Sequence, residues 1–263
     1  MDFSDYRRIR FTRHERVLTL TLENGKVNAV DGQMHKELAR VFLEAQDDEE
    51  SDLLILTGAG RAFCAGGDTD WFKRQIEDPR TFRAIAPEAK RIVSSLLELE
   101  KPLVCRLNGA AAGLGATIAL MSDVIVAVDT AVIGDPHIKV GLVAGDGGAI
   151  IWPQLIGYAR AKELLMTGDL LPAPEAARLG LINYSVPAAE LDAKVEELVA
   201  KILGNPRWAV RWTKTVANIP LKELAARLSD PALAYEILSN MTEDRKEAVA
   251  AFVEKRKPRF SGE

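Results

Sequence analysis

Segments with the apolar pattern of β-strands and segments with the apolar spacing of helices follow one another along the chain. Their order predicts an α/β fold. Apolar and polar positions alternate within 6–22, which is typical of a β-hairpin. Asp31 can cap a following helix whose apolar residues fall at helical spacing. Continuous apolar runs at 53–57, 103–107 and 124–128 indicate buried strands. Strands that alternate with helices favour crossover connections within an α/β domain.

Prolines set the expected limits of the helices in the middle of the chain. Residues 70–99 follow helical spacing, and Asp78-Pro79 and Pro87 predict two interruptions in it. Beyond them, a glycine-rich turn leads into a helix at about 113–121.

The C-terminal part of the chain is helical in pattern and carries many apolar residues. We therefore divide the chain into an α/β core at 1–195 and a helical region at 196–263. A few helices with so much apolar surface need a partner. We expect them to pack both on the core and on another subunit.

Composition excludes several classes of protein. The 263 residues are 48% hydrophobic and 27% charged, as in an ordinary globular protein, and the net charge of −4 argues against nucleic-acid binding. No apolar run reaches the ~18 residues that span a bilayer, and the N-terminus has no signal-peptide pattern. Cys64 and Cys105 need not pair, and with three histidines no metal site is expected. These features predict a cytoplasmic protein with no membrane partner.

Two glycine-rich stretches, 62–68 and 108–116, carry the strongest chemical signal. Each follows a predicted strand and leads into a predicted helix, so its backbone N–H groups lie at the positive end of a helix dipole. Two such turns in one domain can direct two N–H groups at a single oxygen, as an oxyanion hole requires. The pattern therefore favours chemistry through an enolate or a tetrahedral oxyanion.

Four stretches in this order and spacing resemble the crotonase (enoyl-CoA hydratase/isomerase) superfamily: 58–68, 108–118, 133–148 and the tail 251–257. The resemblance implies a spiral of ββα units, a helical C-terminal trimerisation region, and a homotrimer or dimer of trimers. It implies an acyl-CoA ligand and no cofactor beyond coenzyme A. The thioester carbonyl would lie between the backbone N–H groups of Gly67 and Leu114, and the flanking Gly113 and Gly115 would allow a close approach.

The resemblance also implies residues that contact coenzyme A. Ala65 matches a position whose backbone meets the adenine, and Phe252 matches an aromatic near the nucleotide that often lies across a subunit boundary. Lys26, Arg61 and Lys255 match basic positions near the phosphates. The alternative for each basic residue is a solvated surface charge.

The chain departs from the hydratases of this superfamily at two positions. Those enzymes add and remove water with two glutamates, and here Thr117 and His137 occupy the matching positions. A threonine hydroxyl cannot serve as a base near neutral pH. Two-glutamate hydration is therefore not expected.

His137 and Asp146, nine residues apart, offer a replacement. A carboxylate on the second ring nitrogen would fix the tautomer of the histidine and raise its basicity. The pair, with Glu236 at the equivalent spacing, resembles the branch of hydrolases that cleave cyclic β-diketones such as 6-oxocamphor. The alternatives are a helix cap for Asp146, a hydrogen-bonded turn histidine for His137 and a surface charge for Glu236.

Three functions follow from these residues. The first is an enzyme that acts on an acyl-CoA thioester through the oxyanion hole and His137. The second is a hydrolase that cleaves C–C bonds in cyclic β-diketones without CoA, in which case the substrate is a small β-dicarbonyl compound. The third is a non-catalytic acyl-CoA-binding protein. His14, in the hairpin turn, and His35, on the first helix, receive no role.

Overall fold

The computed structural model describes residues 3–263, and its strands form two sheets. The strands are β1 (Ile9–His14), β2 (Val17–Leu22), β3 (Leu53–Gly58), β4 (Ala62–Cys64), β5 (Leu103–Leu107), β6 (Ala110–Ala112), β7 (Val124–Val128), β8 (Val132–Gly134), β9 (Leu171–Pro172) and β10 (Tyr184–Val186). Six strands lie in the order β1-β2-β3-β5-β7-β10, parallel except for the β1–β2 hairpin, and four in the order β4-β6-β8-β9.

Eleven α-helices lie within the same residues. They are α1 (Gly32–Gln46), α2 (Thr69–Glu77), α3 (Pro79–Glu98), α4 (Leu114–Leu120), α5 (Gly148–Ile156), α6 (Tyr158–Thr167), α7 (Ala173–Arg178), α8 (Leu191–Leu203), α9 (Arg207–Ala217), α10 (Ile219–Asn240) and α11 (Glu243–Glu254). Short 3₁₀ helices occupy Pro136–Val140 and Ala188–Glu190. The predicted α/β class with a helical C-terminal region is confirmed.

The predicted start of α1 is also confirmed. Asp31 has an extended backbone, and its carboxylate accepts a hydrogen bond from the Met34 N–H at 2.8 Å. The apolar face of this helix, including Leu38 and Phe42, is buried in the core together with Trp152. Each such side chain contributes about 1.5–3 kcal/mol through its removal from water.

The prediction of an interruption at Pro87 is wrong, whereas the one at Asp78-Pro79 is right. Helix α2 ends before Asp78, and α3 starts at Pro79 and then runs without a break through Pro87. Pro87 is exposed, so water can solvate the Arg83 carbonyl that loses its helical partner.

Pairing between β4 and β6 places the two glycine-rich turns side by side. Ala62 is opposite Ala110, and Cys64 is opposite Ala111, in parallel register. The first turn leads to α2 and the second to α4. The buried Asn28 side chain supports the first turn by donating to the Ala62 carbonyl at 2.9 Å.

The C-terminal helices pack on the rest of the same chain. Helix α10 lies against α3 and α5, and α11 lies against α2 and the 3₁₀ helix at Pro136–Val140. The predicted boundary at 195/196 lies inside α8, and the division into core and oligomerisation region stays a prediction. Across residues 3–263, none of the helices combines the length and the apolar character that crossing a bilayer requires.

Candidate active site

A mostly apolar cavity lies between the second glycine-rich turn and the C-terminal helices. Its polar lining groups are His35, Gln75, His137, Asp146 and Glu236. The other lining residues are Val30, Gly67, Trp71, Phe72, Phe82, Ile85, Ala86, Ala89, Leu114, Leu142, Leu233 and Ile237. Residues from distant parts of the sequence thus meet around one space.

The two backbone groups that were predicted to form an oxyanion hole both border this cavity. Leu114 is the first residue of α4, and Gly67 lies just before α2. Neither amide donates a hydrogen bond to another residue within 3–263. Two unsatisfied N–H groups at helix N-termini are suited to a ligand oxygen, and their use in catalysis stays a prediction.

Gly113 and Gly67 lie close to other side chains of the site. Gly113 has φ of +54°, and a Cβ there would lie 3.3 Å from Cε1 of His137. A Cβ on Gly67 would collide with the ring of Phe72. The missing side chains let backbone, aromatic ring and imidazole lie close together.

His137 contacts two carboxylates, and the closer one was not predicted. Its Nδ1 makes a short hydrogen bond with Oδ1 of Asp135, two residues earlier, while its Nε2 lies 3.4 Å from Oδ2 of Asp146. The expectation that Asp146 alone orients the ring therefore needs a correction. Asp135 holds Nδ1 because the turn through Pro136 brings the two side chains together.

Asp146 does not cap the helix that follows it, so that alternative reading is wrong. The residue at the start of α5 is Gly147, and no side chain caps this helix. Asp146 is instead 8% exposed, and its Oδ1 has no hydrogen-bond partner in the described chain.

Glu236 is buried rather than on a solvated helix face. It lies on α10, is 5% exposed, and lines the cavity. It meets the loop before α5, since a Cβ on Gly145 would lie 2.8 Å from Oε2 of Glu236. The three predicted catalytic side chains are therefore neighbours in one cavity, and their roles stay predictions.

Burial and mutual charge shift the protonation of these groups. Burial alone would lower the pKa of His137, but Asp135 and Asp146 raise it well above its usual range. Burial opposes ionisation of Asp146, yet His137 holds the pKa of Asp146 below its usual value. Burial and then the charge of Asp146 raise the pKa of Glu236 well above its usual value. These directions favour a charged His137–Asp146 pair and the protonated form of Glu236.

Thr117, which the resemblance matches to a glutamate of the hydratases, is fully buried in α4. Its hydroxyl has no hydrogen-bond partner within 3–263. Its methyl group packs against the next loop, because a Cβ on Gly147 would lie 2.7 Å from it. The Thr117 side chain thus contributes to the packing of α4 against the loop before α5.

A second, more open channel meets the cavity at Gly67, Phe72 and His137. Ala65 and Phe252, two of the predicted contacts to coenzyme A, line this channel, and that role stays a prediction. Phe252 reaches it from α11 of the same chain and is 57% exposed.

The three predicted basic contacts are exposed and lie outside the channel lining. Lys26, Arg61 and Lys255 form no ion pair with any residue from 3 to 263. Lys26 is next to Val27 of the lining, and Lys255 follows Phe252 by less than one helical turn. Asn28 bonds to the carbonyls of Ala59, Ala62 and Phe63, so the segments that carry Lys26 and Arg61 adjoin.

Several site residues were missed in the sequence. Asp135 could have been found, since an aspartate two residues before a histidine across a proline often bonds locally. His35 was given no role, yet it lines the cavity with Gln75. Arg245 is fully buried with a pKa that burial lowers to about 10, and its guanidinium lies 4.8 Å from the Phe72 ring centre. Nothing local in the sequence marks these last three.

Comparison with known proteins gives a family match over most of the chain. The model of the family described as enoyl-CoA hydratase/isomerase matches residues 12–263. A crotonyl-CoA hydratase of Syntrophomonas wolfei is 33% identical over 259 residues, which cover 97% of this chain and 98% of that protein.

Two solved structures are similar in fold. An enoyl-CoA hydratase/isomerase of Mycobacterium paratuberculosis has a TM-score of 0.88 at 34% identity, covering 92% of this chain and 97% of that one. A β-diketone hydrolase of the cyanobacterium Anabaena, solved with (S)-3-oxocyclohexyl acetic acid, has a TM-score of 0.84 at 29% identity. That match covers 91% of this chain and 96% of the hydrolase.

Proposed function

The chain belongs to the enoyl-CoA hydratase/isomerase family, and from this premise we propose an enzyme that acts on an acyl-CoA thioester without the two glutamates of the hydratases. The N–H groups of Gly67 and Leu114 hold the thioester oxygen, and His137 and Asp146 carry the proton. One observation supports this: the two unsatisfied amides and the His137–Asp146 pair border the same cavity.

Asp135 gives His137 a fixed orientation in this scheme. Its bond to Nδ1 leaves Nε2 as the ring nitrogen that faces Asp146 and the cavity. Because His137 and Asp146 lie 3.4 Å apart and shift each other's pKa, they exchange a proton with the substrate or with water as one unit. Glu236, kept neutral by burial, returns a proton at the end of the cycle.

The outer channel accommodates the coenzyme A part of the ligand. Ala65 and Phe252 border the adenine end, while Lys26, Arg61 and Lys255 supply positive charge for the phosphates. Their lack of internal ion pairs supports this role, because each cation is free to meet an anion. Coenzyme A enters as part of the substrate, and the reaction needs no other cofactor in this scheme.

A second candidate is the hydrolysis of a cyclic β-diketone without CoA. The likeness to the Anabaena β-diketone hydrolase and the His–Asp–Glu cluster favour it. Water would add to one ketone carbon and lose its proton to the His137–Asp146 pair. The bond between that carbon and the α-carbon would break, and its electron pair would form an enolate held by Gly67 and Leu114. Protonation of the enolate carbon would leave a carboxylic acid and a ketone.

We further propose that the protein assembles as a homotrimer or a dimer of trimers. The C-terminal helices expose large apolar side chains, including Trp212 (57%), Val216 (65%) and Leu238 (59%). Patches of this kind are typical of subunit interfaces. A cytoplasmic location accords with the metabolic class of substrate.

Turnover of acyl-CoA and diketone substrates by His137→Gln tests the proposal. Loss of the proton carrier lowers kcat about 100- to 10,000-fold, whereas His14→Gln, at an exposed position, retains wild-type activity. Calorimetry with coenzyme A separates the candidates, because the first requires binding and the second does not. Full activity of His137→Gln would contradict both, and CoA binding without any turnover would support a non-catalytic binding protein.

A further inference from the structure

We propose that His35 and Gln75 form a polar wall in the cavity that binds a second oxygen of the substrate, either a carbonyl or a hydroxyl. This inference rests on the proposed function and specifies its substrate class. A substrate with oxygen only at the carbonyl held by Gly67 and Leu114 would leave this polar wall unused.

His35 is held in place at one ring nitrogen and has no partner at the other. It is 3% exposed on α1, and its Nδ1 is hydrogen-bonded to Oε2 of Glu88 on α3 at 2.8 Å. Its Nε2 makes no hydrogen bond with any residue in 3–263, and the ring lines the cavity. Glu88 thus orients an imidazole whose remaining nitrogen is available to a ligand.

Gln75 brings a second buried polar group to the same wall. It lies on α2, is 1% exposed, and lines the cavity. Its Oε1 is enclosed and without a partner in the described chain. Trp71 joins the two residues: it precedes Gln75 by one helical turn, and its ring centre lies 5.4 Å from that of His35.

Buried polar groups without partners are uncommon, because they lose their bonds to water on folding. Helix α3, which carries Glu88, contributes only apolar residues to the lining: Phe82, Ile85, Ala86 and Ala89. An alkyl or alkenyl chain in this space would leave both groups unsatisfied. A ligand hydroxyl would donate to Oε1 of Gln75, and a carbonyl or hydroxyl oxygen would share a hydrogen with Nε2 of His35, so the wall selects for an oxygenated substrate.

The polar wall also adjoins the proton-transfer groups. His35 lines the same cavity as His137 and Asp146. A second oxygen bound at this wall would lie beside the groups that transfer the proton.

Equilibrium binding of matched ligands tests the proposal on the full chain. One series is butyryl-CoA, 3-hydroxybutyryl-CoA and acetoacetyl-CoA, which differ only at carbon 3. The other is 2,2-dimethylcyclohexanone against 2,2-dimethylcyclohexane-1,3-dione, a pair without CoA that cannot enolise between its carbonyls. Wild type should prefer the oxygenated members of at least one series by about 10- to 100-fold, the ratio expected for one or two hydrogen bonds to buried groups.

Substitutions at two residues locate the preference. His35→Phe should abolish most of it, whereas His35→Gln, which keeps a polar atom near the Nε2 position, should retain part of it. Gln75→Leu should reduce it independently. Lys36→Ala, at an exposed neighbouring position of α1, should leave every affinity unchanged, and thermal melting of each variant checks that it is folded.

Equal binding of the members of both series to wild type would overturn the proposal, as would a preference that survives His35→Phe. Failure to bind any of the ligands would also count against it. Failure of the proposed function appears elsewhere, as unchanged turnover in His137→Gln. The two results are distinguishable because ligand preference at His35 needs no catalysis.

Discussion

At the residue scale, the site combines two backbone amides with a cluster of titratable side chains. Within 3–263 the amides of Gly67 and Leu114 donate no hydrogen bond, and Thr117 and His137 are predicted to occupy the positions of the hydratase glutamates. His137 lies between Asp135 and Asp146, so a carboxylate faces each of its two ring nitrogens. Glu236 completes this cluster of buried or half-buried side chains. Chemistry at the site depends on how protons move among these four side chains.

Thr117→Val should leave activity unchanged and stabilise the fold by up to about 1 kcal/mol, because it removes a buried hydroxyl that has no partner among residues 3–263. Thr57→Val is the matched control: the Thr57 hydroxyl donates to the Arg106 carbonyl at 2.8 Å, so its loss should cost about 1 kcal/mol. Urea denaturation and turnover measure both. A large loss of kcat in Thr117→Val would assign the hydroxyl to catalysis.

Glu236→Gln should stabilise the protein increasingly as the pH rises above 4.5. The folded-state pKa of Glu236 lies well above the ordinary 4.5, owing first to burial and then to Asp146. The folded state thus keeps a proton that the unfolded chain releases, so the stability of wild type falls with rising pH in this window. Glutamine does not titrate, so the variant does not lose stability in this way as the pH rises.

Melting temperatures from about pH 5 to about pH 8 measure the effect of the Glu236 substitution. Glu223→Gln, on an exposed position of the same helix α10, is the control and should show no such trend. A constant difference between Glu236→Gln and wild type at all pH values would contradict the assigned direction of the pKa.

At the scale of elements, helix starts and strand ends position the site. Asp68 caps α2, accepting from the N–H groups of Asp70 and Trp71 at 3.0 Å each, and so sets the direction of the helix that bears Phe72 and Gln75. Parallel pairing of β4 and β6 then aligns this helix start with that of α4. Two short strands therefore determine the separation of the two amides.

Pro87→Ala should stabilise the protein by about 1–2 kcal/mol, because alanine restores a helical N–H in the middle of α3 and has a higher helix propensity. Pro79→Ala is the control on the same helix: Pro79 is at its N-terminal first turn, where proline is well accommodated, so the change should stay within about 0.5 kcal/mol. Urea denaturation measures both. Destabilisation by Pro87→Ala would show that a bend at this proline is needed for packing.

At the scale of the whole molecule, the C-terminal helices complete the site and also expose apolar surface. Glu236 of α10 and Phe252 of α11 reach the cavity and its outer channel within one chain. On α9, Trp208, Trp212 and Val216 recur every four residues and are 48%, 57% and 65% exposed. One face of these helices serves the ligand space, and another is available to a second subunit.

Trp212→Glu should weaken subunit association at least about tenfold, since a charge replaces a large aromatic group of the kind that anchors interfaces. Sedimentation velocity over a range of concentrations measures the effect, with a trimer or hexamer expected for wild type. Thr213→Glu adds the same charge one residue away from the apolar stripe and should have a smaller effect. A monomeric wild-type protein would contradict the proposed assembly.

Local patterns were sufficient for much of the architecture. Residues adjacent in the chain were enough to predict the cap at Asp31, the buried strands and the two glycine-rich turns. They were also enough to show the family resemblance. Pro87 was misjudged because its cost depends on whether it faces solvent. The predicted contact of His137 with Asp146 is present, but a second contact, with Asp135 across Pro136, was not predicted.

By itself, the sequence determined the α/β class, the family and the two glycine-rich turns, and it predicted that the two glutamates of the hydratases are absent. Tertiary structure decided which distant side chains share the cavity: His35 meets Glu88 across 53 positions of the chain, and Glu236 comes to the loop before α5. The physical reason is the distance along the chain between the residues that interact. Periodicity, caps and glycine turns arise between near neighbours, whereas the lining of a cavity depends on how complete helices pack.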